Sequence, residues 1–144
     1  MREILFRAKR DNGGEWVHGY YVRMPDAAGS AHRMYVPAEN PDESNNVFYI
    51  DPETVGQYTG LTDKNGVKIF EDDIIQTDDS DEEPAKVFYD EGETEFAVII
   101  DNCYYGLGSN FNETDLTVIG NRLLISTNAA WRHVGISAPL PQGR

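Results

Sequence analysis

Carboxylates are the most concentrated reactive groups in this 144-residue chain. Five of the seven residues in 78–84 are Asp or Glu, and Glu71, Asp72 and Asp73 stand in a row just before them. Paired carboxylates catalyse glycoside hydrolysis only when they are held at a fixed separation and one of them is desolvated. Mutual repulsion should instead keep 78–84 as a solvated, mobile loop. We therefore predict no catalytic carboxylate pair.

The same acids offer oxygen ligands of the kind that calcium and magnesium bind, in 63–66 and in 71–73. An EF-hand loop starting at Asp63 is excluded, because Gly66 is the fourth residue instead of the sixth and Ile74, the twelfth, is apolar. A specific divalent site remains the alternative. The expectation is weak screening by bulk cations and no bound metal.

Nucleophilic chemistry would depend on Cys103, the only cysteine, with a histidine beside it. His18, His32 and His133 are far from it and from one another in sequence, so a Cys–His pair would require the fold to assemble it. A buried, inert thiol is the expectation. A single cysteine also excludes an intrachain disulfide and suits a reducing cytoplasm.

Motifs that carry phosphate, hydrolase, zinc or thiol redox chemistry are absent from the sequence. Gly106–Gly108 resembles the start of a dinucleotide fingerprint, but Phe111 occupies the place of the third glycine. We therefore predict no catalytic residue and no cofactor. An enzyme of unrecognised type remains an alternative, supported by Cys103–Tyr105 beside this glycine-rich stretch.

Charge is distributed unevenly along the chain, whose net charge is −13. Residues 1–50 hold six Lys or Arg against seven Asp or Glu, 51–95 hold three against fifteen, and 96–144 hold three against three. Nucleic-acid binders neutralise phosphates with basic side chains, so direct binding is disfavoured. The one exception to test is a small basic group near the N-terminus, formed by Arg2, Arg7, Lys9 and Arg10.

The elements that would position these groups are strands. In 53–75, Asn65-Gly66 separates two short runs rich in branched and aromatic residues, and both residues readily take a positive φ. This predicts a tight hairpin with its tip at 63–66. Ile4, Phe6 and Ala8 alternate with Glu3, Leu5 and Arg7, which predicts a first strand with one buried face.

Runs of branched and aromatic residues elsewhere in the chain predict further strands at 15–24, 32–36, 47–50, 67–70, 73–77, 85–90, 95–101 and 116–120. Turns or loops are expected at 11–14, 25–30, 37–46, 90–94 and, as an irregular connection, 102–112. In the tail, Ser126 or Thr127 could cap a short helix containing the packing residue Trp131, and 137–144 are expected to be disordered. From 67 onward this pattern fits a small barrel.

Three blocks resemble the YopX-like proteins of phages and prophages: 2–8 (REILFRA), 50–75 (IDPETVGQYTGLTDKNGVKIFEDDII) and 116–121 (LTVIGN). The resemblance implies an all-β protein with an SH3-type small barrel in its C-terminal half, and it transfers no catalytic residues. We therefore expect a mainly β chain: an N-terminal antiparallel β lobe at 1–52, the barrel at 53–125 and a tail at 126–144.

The function expected is a non-catalytic protein–protein interaction module in the cytoplasm of a bacterial host cell. It would dock through its barrel or a sheet edge on a protein partner, either host-encoded or a second copy of the chain. The first alternative is an acidic nucleic-acid mimic, in which the carboxylates of 71–95 occupy a basic groove of a host protein. No run of apolar residues approaches the length of a membrane span, so no membrane partner is expected.

Overall fold

The computed structural model describes residues 1–12 and 14–121. Regular structure within them is almost entirely β, as predicted, with one short α-helix and two short 3-10 helices. No helix in these residues has the length and apolar character needed to cross a membrane. The chain divides into two compact units, unit 1 at Met1–Tyr58 and unit 2 beginning at Thr59.

Unit 1 is an antiparallel sheet with the strand order β4-β3-β2-β1-β5, and the first residues of β5 belong to it. An isolated β-bridge also pairs Arg10 with Ile50. Beside this bridge, the Tyr49 carbonyl accepts a hydrogen bond from the Asp11 N–H at 3.3 Å. The elements are β1 (Phe6–Lys9), β2 (Trp16–Asp26), β3 (Gly29–Val36), β4 (Asn46–Tyr49), a 3-10 helix (Pro52–Thr54) and β5 (Gly56–Thr62).

The core of unit 1 is built on Ala8, Met34 and Ile50, with partly buried apolar side chains packed around them. The prediction of a single buried face for β1 is wrong in one respect. Ile4 precedes the strand and is exposed, whereas Arg7, on the opposite face from Ala8, is only 4% exposed. Both faces of β1 are therefore covered, and alternation in the sequence could not show this.

The loop predicted at 25–30 is wrong, because the β2–β3 hairpin extends into it. β2 continues to Asp26 and β3 starts at Gly29, whose φ is 129°. The Asp26 Oδ1 accepts a hydrogen bond from the Ala28 N–H at 2.9 Å and so closes the turn. Pro25 is tolerated because β1 pairs only with Trp16–Gly19, which leaves the far end of β2 with a free edge.

Unit 2 contains two three-stranded sheets, ordered β11-β10-β9 and β12-β7-β8, while β6 is the neighbour of β5. No closed barrel of paired strands is found among the described residues. The elements are β6 (Lys68–Phe70), β7 (Asp73–Thr77), β8 (Ala85–Lys86), β9 (Phe88–Asp90), β10 (Glu95–Ile100), β11 (Cys103–Gly106), α1 (Leu107–Asn110), a 3-10 helix (Glu113–Asp115) and β12 (Leu116–Asn121).

One buried apolar cluster joins these sheets: Ile69, Ile75, Ala85, Val87, Val98, Ile100, Leu107 and Leu116. Val87 also explains why the strand predicted at 85–90 is two strands in different sheets. It is fully buried between β8 and β9, where its N–H donates to the Asp73 carbonyl at 2.8 Å and its carbonyl accepts from the Asp72 N–H at 2.9 Å. The strands predicted at 73–77, 95–101 and 116–120 are confirmed within one residue at each end.

Two expectations about the C-terminal part have different outcomes. The stretch 102–112 is not irregular throughout, since it contains β11 and α1. β11 was missed because its first residues follow Asp101 and Asn102, both at positive φ, and these form a tight turn with β10. The predicted helix near Ser126, the packing of Trp131 and the disorder of 137–144 lie outside the described residues.

The hairpin predicted in 53–75 is confirmed between β5 and β6, but its turn differs from the expectation. Only Gly66 takes a positive φ, 78°, and Asn65 does not. The Gly66 N–H donates to the Asp63 carbonyl at 3.0 Å, and the Asp63 N–H donates to the Val67 carbonyl at 2.8 Å. This is a three-residue loop, in which a turn is followed by glycine in the left-handed region.

Candidate protein-interaction surface

The sheet of unit 1 has one face turned toward the core and one turned away from it. Residues paired across antiparallel strands lie on the same face. Tyr20, Tyr35 and Val47 form one row across β2, β3 and β4, and Val22, Arg33 and Tyr49 form the next. Together with Met24 these side chains form the surface that we call the outer face: Tyr20, Val22, Met24, Arg33, Tyr35, Val47 and Tyr49.

The outer face is apolar although it is solvent-accessible. Its six uncharged residues are each between 37% and 56% exposed. The solvent face of an antiparallel sheet normally carries polar side chains, and a contiguous exposed apolar patch marks an interaction site. A shallow groove of about 160 Å³ runs over it, lined by Val22, Met24, Arg33, Tyr35 and Val47.

Arg33 is the only charged residue in the outer face. Its Cζ lies 4.9 Å from the centroid of the Tyr49 ring, and its Nη2 donates to the Tyr49 hydroxyl at 3.1 Å. Its Nε is shielded from solvent and has no hydrogen-bond acceptor among the described residues. Arg33 also forms no ion pair within that part of the chain. The face therefore presents a cation whose donors are only partly used.

The edge of β4 offers less for docking than the face. The backbone groups of β4 that point away from β3 form this edge. One of them, the Tyr49 carbonyl, already accepts a hydrogen bond from the Asp11 N–H. The bridge between Arg10 and Ile50 covers the neighbouring position. Only a short piece of this edge near Val47 is left to pair with another strand, so the expected docking through a sheet edge is poorly supported in unit 1.

Comparison with known proteins identifies the family. The family model described as "YopX protein" matches residues 5–122. The chain belongs to the YopX family. The chain is similar to the crystal structure of protein EF1440 from Enterococcus faecalis, with 22% sequence identity, a TM-score of 0.47, and coverage of 84% of this chain and 94% of that chain. No curated protein matches it.

In this YopX-family chain, the thiol and the two described histidines belong to different compact units. Cys103 lies at the start of β11 in unit 2 and is exposed, so the expectation of a buried thiol is wrong. His18 and His32 lie in β2 and β3 of unit 1, and His133 lies outside the described residues. His32 Nδ1 is 2.6 Å from the Tyr21 hydroxyl, and the two rings are stacked with centroids 5.9 Å apart. That pair is part of the packing of the sheet.

Two of the carboxylates considered as metal ligands, Asp63 and Asp73, bind backbone N–H groups. Asp63 is 3% exposed, and its Oδ1 accepts hydrogen bonds from the N–H groups of Asn65 and Val67 at 2.8 and 2.9 Å. Asp73 Oδ2 accepts from the Phe70 N–H at 2.9 Å. No cluster of three metal-ligating side chains occurs in 1–12 and 14–121. The sequence signal for this role was an Asp at the first position of a turn.

The segment 78–84, which we call the acidic loop, is organised by one amide side chain. Gln76 Nε2 donates to the backbone carbonyls of Asp79 at 3.2 Å and Glu82 at 2.9 Å. The Asp81 N–H donates to the Asp79 Oδ1 at 3.0 Å. Most carboxylates of the loop are exposed, as expected for a solvated loop.

The tyrosines considered for an enzyme have local partners. The Tyr104 hydroxyl donates to Glu95 Oε1 at 2.8 Å, and Tyr105 packs on Phe111 with ring centroids 5.8 Å apart. Desolvation of the Tyr104 phenol, its hydrogen bond to Glu95 and the charge of Asp90 all raise its pKa above the ordinary value. A phenol held protonated in this way is a poor general base at neutral pH.

The glycine-rich stretch after β11 does not form a phosphate cradle. A Cβ added at Gly106 would lie 2.7 Å from the Glu95 Oε1, so a carboxylate already fills the space over this glycine. The helix that follows, α1, has four residues and no side-chain cap. A dinucleotide fingerprint requires a glycine turn with free backbone donors at the start of a longer helix.

The basic residues near the N-terminus pack against aromatic rings. Arg7 Cζ and Lys9 Nζ lie 4.8 and 5.5 Å from the centroid of the Trp16 ring. Arg10 Cζ lies 4.4 Å from the centroid of the Phe48 ring, and its Nη1 lies 3.1 Å from a carboxylate oxygen of Glu15. These contacts use part of the basic surface that a nucleic acid would need.

Proposed function

We propose that this YopX-family chain is a non-catalytic protein–protein interaction module and that the outer face is its docking surface. The observation that carries the proposal is the cluster of large apolar side chains left exposed across three strands. Burying apolar surface stabilises an association by roughly 25 cal/mol per Å² before the costs of ordering are subtracted. Tyr, Met and Arg are also enriched where proteins meet, and all three are present here.

The outer face is large enough for this role. Six side chains that are 37% to 56% exposed would supply on the order of 500 Å² to an interface, and rim residues would add to that. A specific complex usually buries about 800 Å² on each partner. The outer face would thus form the apolar centre of an interface of ordinary size.

For unit 2, we infer the SH3-type small barrel that the family resemblance implies. Support comes from the single buried cluster, to which β6, β7, β8, β10 and β12 all contribute. Side chains from several short strands filling one interior are typical of small barrels. An experimental structure in which the strands of unit 2 enclose that cluster would support the inference, and one with two separately packed sheets would contradict it.

The proposed location is the cytoplasm of a bacterial host cell, and the proposed partner is a host-encoded protein. A chain with one exposed cysteine and no intrachain disulfide suits a reducing compartment. Fractionation of the cells that express the chain tests the location. Recovery from the periplasm or the membrane fraction would contradict it.

The docking proposal is tested by affinity capture with matched variants. The bait is the full chain, compared with Val47→Asp and Val22→Asp, which place a charge in the outer face. The control is Ile99→Asp in unit 2, because Ile99 is 53% exposed and so is as accessible as Val47 at 56%. A partner retained by the wild type and by Ile99→Asp, but lost by both face variants, supports the proposal.

Loss of the partner with Ile99→Asp and not with Val47→Asp would place the docking surface elsewhere and overturn the proposal. All four proteins should first show the same far-UV circular dichroism and the same midpoint of urea unfolding. A partner lost from a variant that has unfolded would say nothing about the face, and this control removes that ambiguity.

A nucleic-acid mimic is the second candidate, and the geometry of the acidic loop favours it over an unspecified role for the acids. Gln76 ties the loop at two backbone carbonyls, so its exposed carboxylates project from a closed turn. The test is binding to a captured basic partner in increasing salt, with Asp78, Asp79 and Asp81 replaced together by Asn. The affinity of a mimic for its partner would fall steeply as salt is raised, and it would also fall steeply in the triple variant. Unchanged affinity in the triple variant would exclude this role.

A further inference from the structure

We propose that the occupant of the outer face is an acidic, apolar segment of another protein, whose carboxylate accepts hydrogen bonds from Arg33. This inference rests on the proposed function, because it specifies the partner of the same surface. Two features define the occupant: the apolar side chains that surround Arg33 on the sheet, and a guanidinium that no carboxylate of the described residues neutralises.

The position of Arg33 gives the first step of the argument. Arg33 lies in β3, the middle strand of the outer face, with Val22 beside it on β2 and Tyr49 on β4. Tyr35 and Ala31 are its neighbours along β3 on the same face. A partner that covered these apolar side chains would therefore also cover the guanidinium.

Covering that guanidinium is costly unless the partner supplies an acceptor. Removing a charged group from water costs several kcal/mol when it is not paired. The Arg33 guanidinium has only a neutral partner, the Tyr49 hydroxyl that accepts from Nη2, and it pairs with no carboxylate of the described residues. A carboxylate can accept from two guanidinium nitrogens at once, which is the strongest pairing available to arginine.

The spacing of the rows then sets the pattern of the segment. Neighbouring strands are about 5 Å apart and alternate residues along a strand about 7 Å apart. A carboxylate placed over Arg33 would thus have apolar side chains of the segment over Tyr35 and Val47 on one side and over Met24 on the other. The expected motif is an Asp or Glu flanked by Leu, Ile, Met or an aromatic residue.

A second copy of the chain is a poorer occupant. In a two-fold contact the same face is used twice, so both Arg33 side chains would be buried together. The outer face contains no carboxylate to neutralise them. The nearest same-side acid on β2 is Asp26, which lies at the hairpin tip, four residues from Val22, and whose Oδ1 already accepts from the Ala28 N–H.

A nucleic acid is also a poorer occupant. Phosphate recognition needs several cations along a groove. Arg7 and Lys9 of β1 lie on the same side of the sheet, but Arg7 is only 4% exposed and both cations pack against the Trp16 ring, so Arg33 is the only cation among the residues of the outer face. The remaining surface is made of Val, Met and Tyr side chains, which match apolar groups of a peptide better than a row of phosphates. Tyrosine could stack on a base, but the strong dependence on basic contacts would not be met.

The test is selection from a displayed library of random linear peptides on four immobilised baits: wild type, Arg33→Gln, Arg33→Lys and Val47→Asp. We expect the wild type to enrich peptides with an acidic residue between apolar ones, and Val47→Asp to enrich none. On Arg33→Gln the enrichment of acidic residues should disappear. Arg33→Lys should retain part of it, because it keeps the charge and loses the planar fork.

A selected peptide is then measured by titration against the same proteins, with its Asp or Glu replaced by Asn or Gln as the matched control. We expect about tenfold weaker binding or more for the amide peptide and for Arg33→Gln, and no further loss when the two are combined. In NMR spectra the Arg33 guanidinium resonances should shift with the acidic peptide and not with the amide peptide.

The outcomes separate this inference from the proposed function. In one outcome, peptide enrichment is lost on Val47→Asp, while the peptides selected on Arg33→Gln are as acidic as those selected on the wild type. This result would support the docking surface and overturn the role of Arg33. No enriched peptide on any bait would overturn both. A concentration-dependent dimer in sedimentation velocity that Val47→Asp dissociates would assign the face to a second copy and overturn the inference.

Discussion

Asp63 and Val118 are 55 residues apart in sequence, and the Asp63 Oδ2 accepts a hydrogen bond from the Val118 N–H at 3.0 Å. The other oxygen of the same carboxylate binds two N–H groups in the β5–β6 turn. One buried side chain therefore joins the tip of the hairpin to β12. The Lys64 N–H, which donates to the Leu116 carbonyl at 3.0 Å, adds a second link between the same two segments.

We predict that Asp63→Asn lowers the free energy of unfolding by about 2 to 4 kcal/mol, because the amide cannot accept on both sides and leaves buried N–H groups without partners. Urea unfolding followed by circular dichroism measures this. Asp81→Asn in the exposed acidic loop is the matched control and should change stability by less than about 0.5 kcal/mol. Equal stabilities of the two variants would refute a structural role for Asp63.

The second prediction concerns the close approach of β2 and β3 at Gly19. A Cβ at this position would lie 2.2 Å from the Tyr35 carbonyl oxygen, which is a backbone atom and cannot rotate away. Gly19→Ala should therefore destabilise the protein by about 2 kcal/mol or more.

The control for Gly19 is Gly108→Ala in α1, where no atom lies within 4 Å of an added Cβ. This change should be neutral or slightly stabilising, since Ala favours helix over Gly. The melting temperatures of both variants, measured by thermal unfolding, test these two expectations. A wild-type melting temperature for Gly19→Ala would mean that the two strands separate at low cost.

The third prediction is that the Tyr104 phenol ionises above its ordinary pKa of 10.0, because of desolvation and its hydrogen bond to the Glu95 carboxylate. A raised pKa in the folded state means that folding favours the protonated form. The stabilising contribution is therefore complete below about pH 10 and is lost as the pH rises further.

Titration of phenolate absorbance tests this for the wild type, Tyr104→Phe and Glu95→Gln. Subtracting the curve of Tyr104→Phe isolates the Tyr104 transition. In Glu95→Gln the transition should move to lower pH, because the neutral amide no longer opposes the phenolate charge. A transition of Tyr104 at the ordinary value in the wild type would contradict the prediction.

The fourth prediction follows from the exposure of Cys103 at the start of β11. A fluorescent maleimide should label the native protein at one site, to the same extent as protein unfolded in urea. Cys103→Ser provides the blank. Labelling that requires urea would show that the thiol is protected in the native state, as the sequence alone had suggested.

Much of the local structure could be predicted from the sequence. Gly66 fixed the position of the hairpin tip, because few other residues accept a φ of 78° without strain. The runs of branched residues in β7 and β10 predicted their bounds. The prediction failed at Pro25, where strand pairing overrode a turn residue, and at β11, whose residues carry no clear alternation.

The candidate surface could not be predicted in the same way. β2 has aromatic or aliphatic residues on both of its faces, with Tyr20 on one and Tyr21 on the other. No alternation of polar and apolar residues indicates which face is buried. Pairing with β3 and β1 placed Tyr21 against the core and left Tyr20 outside.

The sequence by itself determined a mainly β chain, the β5–β6 hairpin, the YopX resemblance and the concentration of negative charge in 51–95. These properties depend on short-range preferences and on composition, which need no knowledge of distant contacts. Only the tertiary structure decided that Asp63 binds Val118, that Cys103 is exposed and that Arg33 stands among uncovered apolar side chains. Each of these depends on which segments pair and in which register, and a shift of one residue would turn every side chain of a strand to the other face.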